Sequence, residues 1–226
     1  MPNYNNADYI GEAIDSVLKQ SLPCDILVVD DGSTDDSKNI IQSKPVHSIF
    51  KKNEGPSSAR NKGMEWIIHN GYEFVILLDS DDYIYEDFHE KTIKHMNKKE
   101  VVAVYGDYDI LHNVENFEPF KTREYKRSLD DVSLWRQCLI PHQMLARTSV
   151  FAEIKSTYGT IYDEQLRVCN DYDVDLKMNR FGILWHIPEV VGVVREGINN
   201  SCSVIQGKVR NECLNKLRKT NMEYYS

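Results

Sequence analysis

Asp79, Ser80, Asp81 and Asp82 follow directly on the apolar run Phe74-Val75-Ile76-Leu77-Leu78, so three carboxylates fall within four residues at the end of an expected buried strand. Clustered carboxylates repel one another unless a cation sits among them, and hard divalent ions take oxygen ligands of this kind. Metal-assisted chemistry is one reading. A turn or helix cap is the other, because Asp and Ser commonly serve there too. A second acidic pair, Asp30-Asp31, closes the apolar run at residues 24–29 and leads into Gly32-Ser33, with the same two readings. Arg60 follows Gly55-Pro56-Ser57-Ser58 at an expected helix start, where backbone N–H groups and a guanidinium suit an anion. A solvated surface arginine is the plainer alternative.

The elements that must position these groups are legible from hydrophobic spacing. Ile10, Ala13, Ile14, Val17 and Leu18 predict a helix over residues 9–20, and residues 24–29 predict a strand. Ser33-Thr34-Asp35-Asp36 offers N-cap residues for a helix that must end before Pro45, and residues 46–50 predict a strand. Residues 57–70 predict a helix with Ala59, Gly63, Trp66 and Ile67 on one face, leading into the strand at 74–78. Such alternation implies a parallel sheet covered on both faces, in which ligands bind beyond the carboxyl ends of the strands. Asp31 and Asp79 both occupy such ends. Further strands are expected at 101–105, 183–187 and 190–194, with helices at 168–180 and 207–224 and a polar loop or small hairpin at 113–131. No linker divides the chain, so one domain is expected over 1–226.

Composition narrows the function classes. With 226 residues, 41% of them hydrophobic, the chain can bury one sizeable core. No run matches a membrane span and no N-terminal signal pattern is visible, which predicts a soluble, cytoplasmic protein, with peripheral membrane contact open. Five widely spaced cysteines lack any C-x-x-C pair, against both a disulfide framework and a zinc site. A formal charge of -8 disfavours nucleic acid as a partner. The histidines show no metal-ligand spacing, so a metal site here would be built from oxygen.

Six segments in one order resemble the family 2 glycosyltransferases of the GT-A fold. They are Pro2-Asn3-Tyr4-Asn5, Ser16-Val17-Leu18-Lys19-Gln20-Ser21, Val28-Val29-Asp30-Asp31-Gly32-Ser33-Thr34-Asp35, Asn53-Glu54-Gly55-Pro56-Ser57-Ser58-Ala59-Arg60-Asn61-Lys62-Gly63, Leu78-Asp79-Ser80-Asp81-Asp82 and Asn170-Asp171-Tyr172-Asp173. The resemblance implies an α/β, Rossmann-like and mostly parallel central sheet with helices on both faces and a small antiparallel acceptor-side sheet. About 1–105 would form the nucleotide-binding half and about 106–226 the acceptor-binding half with a C-terminal helix.

It further implies an inverting, metal-dependent transferase that takes a sugar from a nucleotide-diphosphate donor to an acceptor hydroxyl on a glycan, glycolipid or protein. Mn²⁺ or Mg²⁺ would be held by Asp81, with Asp79 nearer the ribose or a metal-bound water, and with Asp82 replacing Asp81 if the register differs by one. Asp31 would accept a hydrogen bond from the nucleobase, favouring a UDP or dTDP sugar, and Tyr4 would stack near the base. Pro2, Ser80 and Arg60 would complete the donor site, with Arg60 on the diphosphate. Asp171 would be the catalytic base. His142, Gln143, Asn170 and Arg195 would border the acceptor or sugar pocket.

Three departures from the family pattern stand out. Asn170 replaces the usual Glu before the base. Arg195 is followed by Glu196-Gly197-Ile198 rather than by a histidine, which implies weaker metal binding. The apolar strand that usually precedes Pro-x-Tyr-Asn is missing before Pro2, which leaves two readings: the reading frame is truncated, or another segment fills the gap, with stability suffering accordingly. Competing classes fit less well. A phospho-receiver domain also places acidic residues after two parallel strands, but it starts at the first of them. A haloacid-dehalogenase-like phosphatase needs a Thr where Asp82-Tyr83 stands. A catalytically weak sugar-nucleotide-binding protein of the same fold is the remaining alternative. The acceptor has no transferable sequence code.

Overall fold

The structure, a computed structural model, describes residues 1–112, the backbone of 120–124, residues 143–166 and 168–196, and Leu217. Two sheets divide the strands. The first is parallel and runs β1 (Pro2–Asn3), β2 (Leu27–Asp30), β3 (His47–Phe50). The second runs β4 (Phe74–Leu77), β8 (Met144–Arg147), β6 (Val101–His112), β9 (Ile183–Glu196), β5 (Tyr83–Ile84), with β7 (Phe120–Glu124) paired to β6. Helices α1 (Ala7–Leu18), α2 (Ser37–Gln42) and α3 (Pro56–His69) alternate with β1 to β4, and α4 (Phe88–Ile93), α5 (Thr148–Tyr158) and α6 (Asn170–Met178) follow among the later strands.

Local chemistry accounts for the elements that carry the site. In α1 the periodic residues Ile10, Ala13, Ile14 and Val17 are the buried ones, and Asp8 in the first turn complements the helix dipole. Helix α3 starts at Pro56, whose fixed φ suits the first helical position, after Gly55 at φ 98°, a conformation open to glycine. A Cβ on Gly63 would lie 3.4 Å from Val29 Cγ2, so glycine lets α3 lie close on β2. Helix α5 ends at Gly159 in the left-handed conformation, a common helix stop.

Two large apolar clusters hold the layers together. Tyr105, Met144, Phe151, Tyr162 and Tyr172 join β6 and β8 to α5 and α6, whereas Ile10, Ile14, Val28, Phe88 and Leu145 join α1, β2, α4 and β8. Both lie beneath strands whose carboxyl ends carry the acidic residues.

The expected α/β architecture is present, with three differences. The second sheet is mixed: β4 and β6 pair antiparallel with β8, while β6 pairs parallel with β9. The two strands expected at 183–187 and 190–194 form one, β9, because Pro188 and Glu189 sit in a bulge between Ile187 and Val190, opposite Gly106 and Asp107. Strands β5 and β8 and helices α4 and α5 were not expected from sequence. The expected 207–224 helix lies outside the described residues except for helical Leu217, and of the hairpin region only β7 is described. At the start of the chain, β1 pairs with β2 over two residues, Pro2 opposite Val29 and Asn3 opposite Asp30.

Candidate active site

The carboxyl end of β4 and the start of α6 bring the sequence-distant Asp79 and Asp171 together at Arg60 of α3. Arg60 Nη2 donates to Asp79 Oδ1 at 2.6 Å, and its Nη1 lies 3.5 Å from Asp171 Oδ1. The guanidinium sits 5.8 Å from the Tyr162 ring centroid. Burial works against its charge, but Asp171 and Asp79 outweigh that and hold its pKa above the ordinary arginine value. One cation therefore links the acidic strand end to the α6 carboxylate.

Asp31 stands at the end of β2 and is buried. Its Oδ2 accepts from Gly55 N–H at 2.7 Å, and its Oδ1 from Glu54 N–H at 3.1 Å and Lys51 Nζ at 2.7 Å. The carboxylate thus fixes the loop that starts α3, and with it the position of Arg60. Its neighbour Asp30 has a different task, accepting from Asn3 Nδ2 at 2.8 Å and from Ser33 N–H at 2.9 Å. Asp30 thus holds the turn after β2 and caps no helix, since α2 begins at Ser37 with Asp36 before it.

Tyr4 is 47% exposed beside these strand ends, next to Asn5 at φ 51°. Asn5 is held there by Thr34 N–H donating to its Oδ1 at 2.8 Å, which presents Tyr4 on a fixed turn. Pro2 lies in β1, half-buried. Ser80 is buried, and its Oγ accepts from Asn6 Nδ2 at 2.8 Å, tying the acidic turn to the start of α1.

The members of the acidic turn diverge in role. Asp82 Oδ1 accepts from Arg195 N–H at 2.9 Å, and burial, with Asp81 and Asp79 adding, pushes its pKa well above the usual carboxylate range. Among the described residues no set of three or more His, Cys, Asp or Glu side chains converges as a ready-made metal cage. Mg²⁺-like sites that use substrate phosphates need only one or two protein carboxylates. Asp81 and Asp79, whose charges already oppose ionisation of Asp82, fit that lesser requirement.

Asn170 opens α6 and donates from Nδ2 to Ser57 Oγ at 3.1 Å, while its Oδ1 accepts from Asp171 N–H at 3.0 Å. This joins the first turns of α6 and α3 and aims Asp171 at Arg60. Arg195 is buried, donates to the Asp81 carbonyl and to Glu12, and stacks between Tyr9 and Tyr83 at 5.1 and 5.0 Å. It clamps β9 to the acidic turn. Gln143 is fully buried and donates from Nε2 to the Val193 carbonyl at 2.7 Å, an interior position. His142 lies outside the described residues. Lys51, Asn6, Glu12 and Tyr162 belong to the site's surroundings and carried no sequence signal, since each earns its place only through a contact distant in the chain.

The comparisons with known proteins agree with this geometry. The family model described as "Glycosyl transferase family 2" matches residues 1–155. An uncharacterized glycosyltransferase of Rickettsia prowazekii is 30% identical over 200 residues, 84% of this chain and 61% of that protein. The putative teichuronic acid biosynthesis glycosyltransferase TuaG of Bacillus subtilis is 33% identical over 117 residues, 49% of this chain and 45% of that protein. The chain therefore spans less than two thirds of the length of either relative. In fold it is similar to S. aureus TarS 1-349 in complex with UDP-GlcNAc, with a TM-score of 0.75 at 18% identity over 97% of this chain and 64% of that one. It is also similar to the mannosyltransferase PcManGT from Pyrobaculum calidifontis in complex with GDP-Man and Mn2+, with a TM-score of 0.60 at 20% identity over 85% of this chain and 55% of that one. With the family model matching most of its length, the chain belongs to glycosyl transferase family 2.

Proposed function

We propose that this protein moves a sugar from a nucleoside diphosphate sugar, with a UDP-sugar favoured, to an acceptor hydroxyl during surface polysaccharide synthesis, and that the anomeric centre is inverted. The observation that carries this reading is Arg60 standing between Asp79 and Asp171, which gathers a donor-side and an acceptor-side carboxylate at one point. TarS in complex with UDP-GlcNAc and the teichuronic acid relative TuaG support the donor and the pathway class. The acceptor is a hydroxyl of a glycan, glycolipid or protein. No helix among the described residues is long and apolar enough to cross a membrane; cytoplasmic action, with peripheral membrane contact, is part of the proposal.

In the reaction the acceptor oxygen attacks the anomeric carbon as the bond to the diphosphate oxygen breaks on the opposite face. Asp171 takes the hydroxyl proton as general base. Holding acceptor and donor in line supplies much of the rate, because an ordinary aspartate is a weak base. Asp31 and Tyr4 receive the nucleobase, with Pro2 and Ser80 beside the donor, and Asn170 keeps Asp171 aimed. Asp81 and Asp79 would hold Mn²⁺ or Mg²⁺, which when bound offsets charge on the departing diphosphate; Asp82 is committed to Arg195 and is the weaker candidate. Arg60 adds positive charge at the same place.

A thermal-shift screen of UDP-, dTDP- and GDP-sugars with and without Mn²⁺ tests the donor, because a ligand that binds only the folded state raises Tm by mass action. Stabilisation selective for a uridine or thymidine sugar is expected. No shift with any nucleotide sugar overturns the proposal, and a shift without measurable transfer or donor hydrolysis points to a sugar-nucleotide-binding protein instead.

A further inference from the structure

Helix α5 stops at Gly159, and the residues that follow, 160–164, are bonded both to α3 and to α6, the helices that carry Arg60 and Asp171. Asn61, next to Arg60, meets this segment as a peptide group would. Its Nδ2 donates to the Tyr162 carbonyl at 2.9 Å and its Oδ1 accepts from the Tyr162 N–H at 2.9 Å. One side-chain amide therefore satisfies both backbone groups of Tyr162. The same Nδ2 lies 3.2 Å from Thr160 Oγ1 and 2.9 Å from Glu164 Oε1, and Thr160 Oγ1 donates to the Tyr162 carbonyl at 2.9 Å. From the other side, Lys177 of α6 donates to the Ile161 carbonyl at 3.1 Å while pairing with Asp173 at 2.6 Å.

These ties hold an aromatic ring in place. The Tyr162 side chain is fully buried, and the Arg60 guanidinium carbon lies 5.8 Å from its ring centroid. That is within reach of a cation–π contact, which strengthens where water is excluded. Burial opposes the charge of Arg60, and its shielded Nε has no hydrogen-bond partner among the described residues. Asp79 and Asp171 engage the two terminal nitrogens, so the ring is the apolar surface that backs the group. Burial also raises the Tyr162 pKa, against the opposing charge of Arg60, and keeps the phenol neutral. Tyr162 therefore supplies packing and orientation at Arg60 rather than a proton.

We propose that Asn61 and Tyr162 are positioning residues for the transfer step: Asn61 fixes the Tyr162 backbone, the Tyr162 ring sets the Arg60 guanidinium, and Arg60 spaces Asp79 from Asp171. This rests on the transferase reading, in which Asp79 stands on the donor side and Asp171 on the acceptor side. A shift of the guanidinium changes the separation of the two carboxylates. Such a displacement costs rate more than ground-state binding.

The test measures kcat and KM with the nucleotide sugar selected by thermal shift. Asn61→Ala and Tyr162→Leu should each lower kcat by about tenfold, with donor KM within about twofold of wild type. Tyr162→Phe keeps the ring and should recover most of what Tyr162→Leu loses. In an Arg60→Lys background, Asn61→Ala should cost less than about threefold, because residues that act through one another are not additive. A second readout needs no turnover: exchange of the Arg60 Nε–H with water, followed by NMR, should quicken by about tenfold in Asn61→Ala and Tyr162→Leu but not in Tyr162→Phe. Should Asn61→Ala fail to fold, the two Tyr162 variants decide on the same readouts. Equal kcat in Tyr162→Leu and Tyr162→Phe, an additive loss in the Arg60→Lys background, or unmoved Nε–H exchange each overturns the assignment. A wild-type protein that neither binds nor turns over any nucleotide sugar strikes the transferase reading instead, and the exchange measurement still decides whether Tyr162 sets Arg60.

Discussion

Arg60 Nη2 donates to Asp79 Oδ1 at 2.6 Å, closing a contact between the first turns of α3 and the end of β4. Both partners are largely shielded from water, with side-chain exposures of 9% and 26%. Asp171 completes the arrangement from the other side.

Removing Arg60 would leave two neighbouring carboxylates without their shared cation. Arg60→Ala should destabilise the fold by about 3 kcal/mol, in the range for breaking a buried ion pair from one side. Urea denaturation measures this. Arg60→Lys should recover part of the stability but less of the transfer activity, because an ammonium cannot address two carboxylates with the geometry of a guanidinium. Equal activity in wild type and Arg60→Lys would reduce Arg60 to a structural charge.

Asp171→Asn keeps the shape and the tie to Asn170 but removes the proton acceptor. Transfer should fall by about 10²-fold or more, as general-base loss does, while the thermal shift with the nucleotide sugar persists. An unchanged turnover in this variant would remove Asp171 from the role of base.

Asp31 satisfies the N–H groups of Glu54 and Gly55 and pairs with Lys51, so its substitution acts on the loop before it acts on any base. Asp31→Ala should cost about 2 kcal/mol of stability through buried donors left unpaired. It should also weaken nucleotide binding. Lys51→Met, read by the same two measurements, separates the effects: it loosens the loop through the lost ion pair but leaves the carboxylate to meet a nucleobase.

The site was legible in sequence to the extent that its residues lie at strand ends. Asp31, Asp79 and Asp81 follow apolar runs, and the alternation of helix and strand places such ends on one side of a sheet. What the sequence does not carry is the partner of each group. Arg60 reads as a diphosphate ligand, yet its contacts are with Asp79 and Asp171, which lie in other parts of the chain. Arg195 reads as a pocket residue, yet it is interior, because its long side chain reaches Asp81 and Glu12 from a strand whose pairing is set by Val193 opposite Tyr83. Strand β8 is not legible for a simpler reason: Met144-Leu145-Ala146-Arg147 is a four-residue run in which periodicity cannot separate a buried strand from a helix start.

Asp175, one turn beyond Asp171 on α6, is fully enclosed, and burial, reinforced by Asp171 and Asp173, holds its carboxyl well above the ordinary value of 3.8. The consequence for stability has a definite sign. In the unfolded chain Asp175 loses its proton near 3.8, whereas in the fold it keeps it to higher pH. Between those two points the folded state binds more protons, so stability falls as pH rises. Asp175→Asn supplies a neutral group of similar shape and removes that dependence. The variant should match wild type near the unfolded-state value of 3.8 and gain on it steadily toward neutral pH. Denaturant midpoints of the two proteins across acid to neutral pH measure the difference; a gap that stayed constant or narrowed with rising pH would mean that Asp175 is ionised in the fold and paired with a group that stabilises its charge.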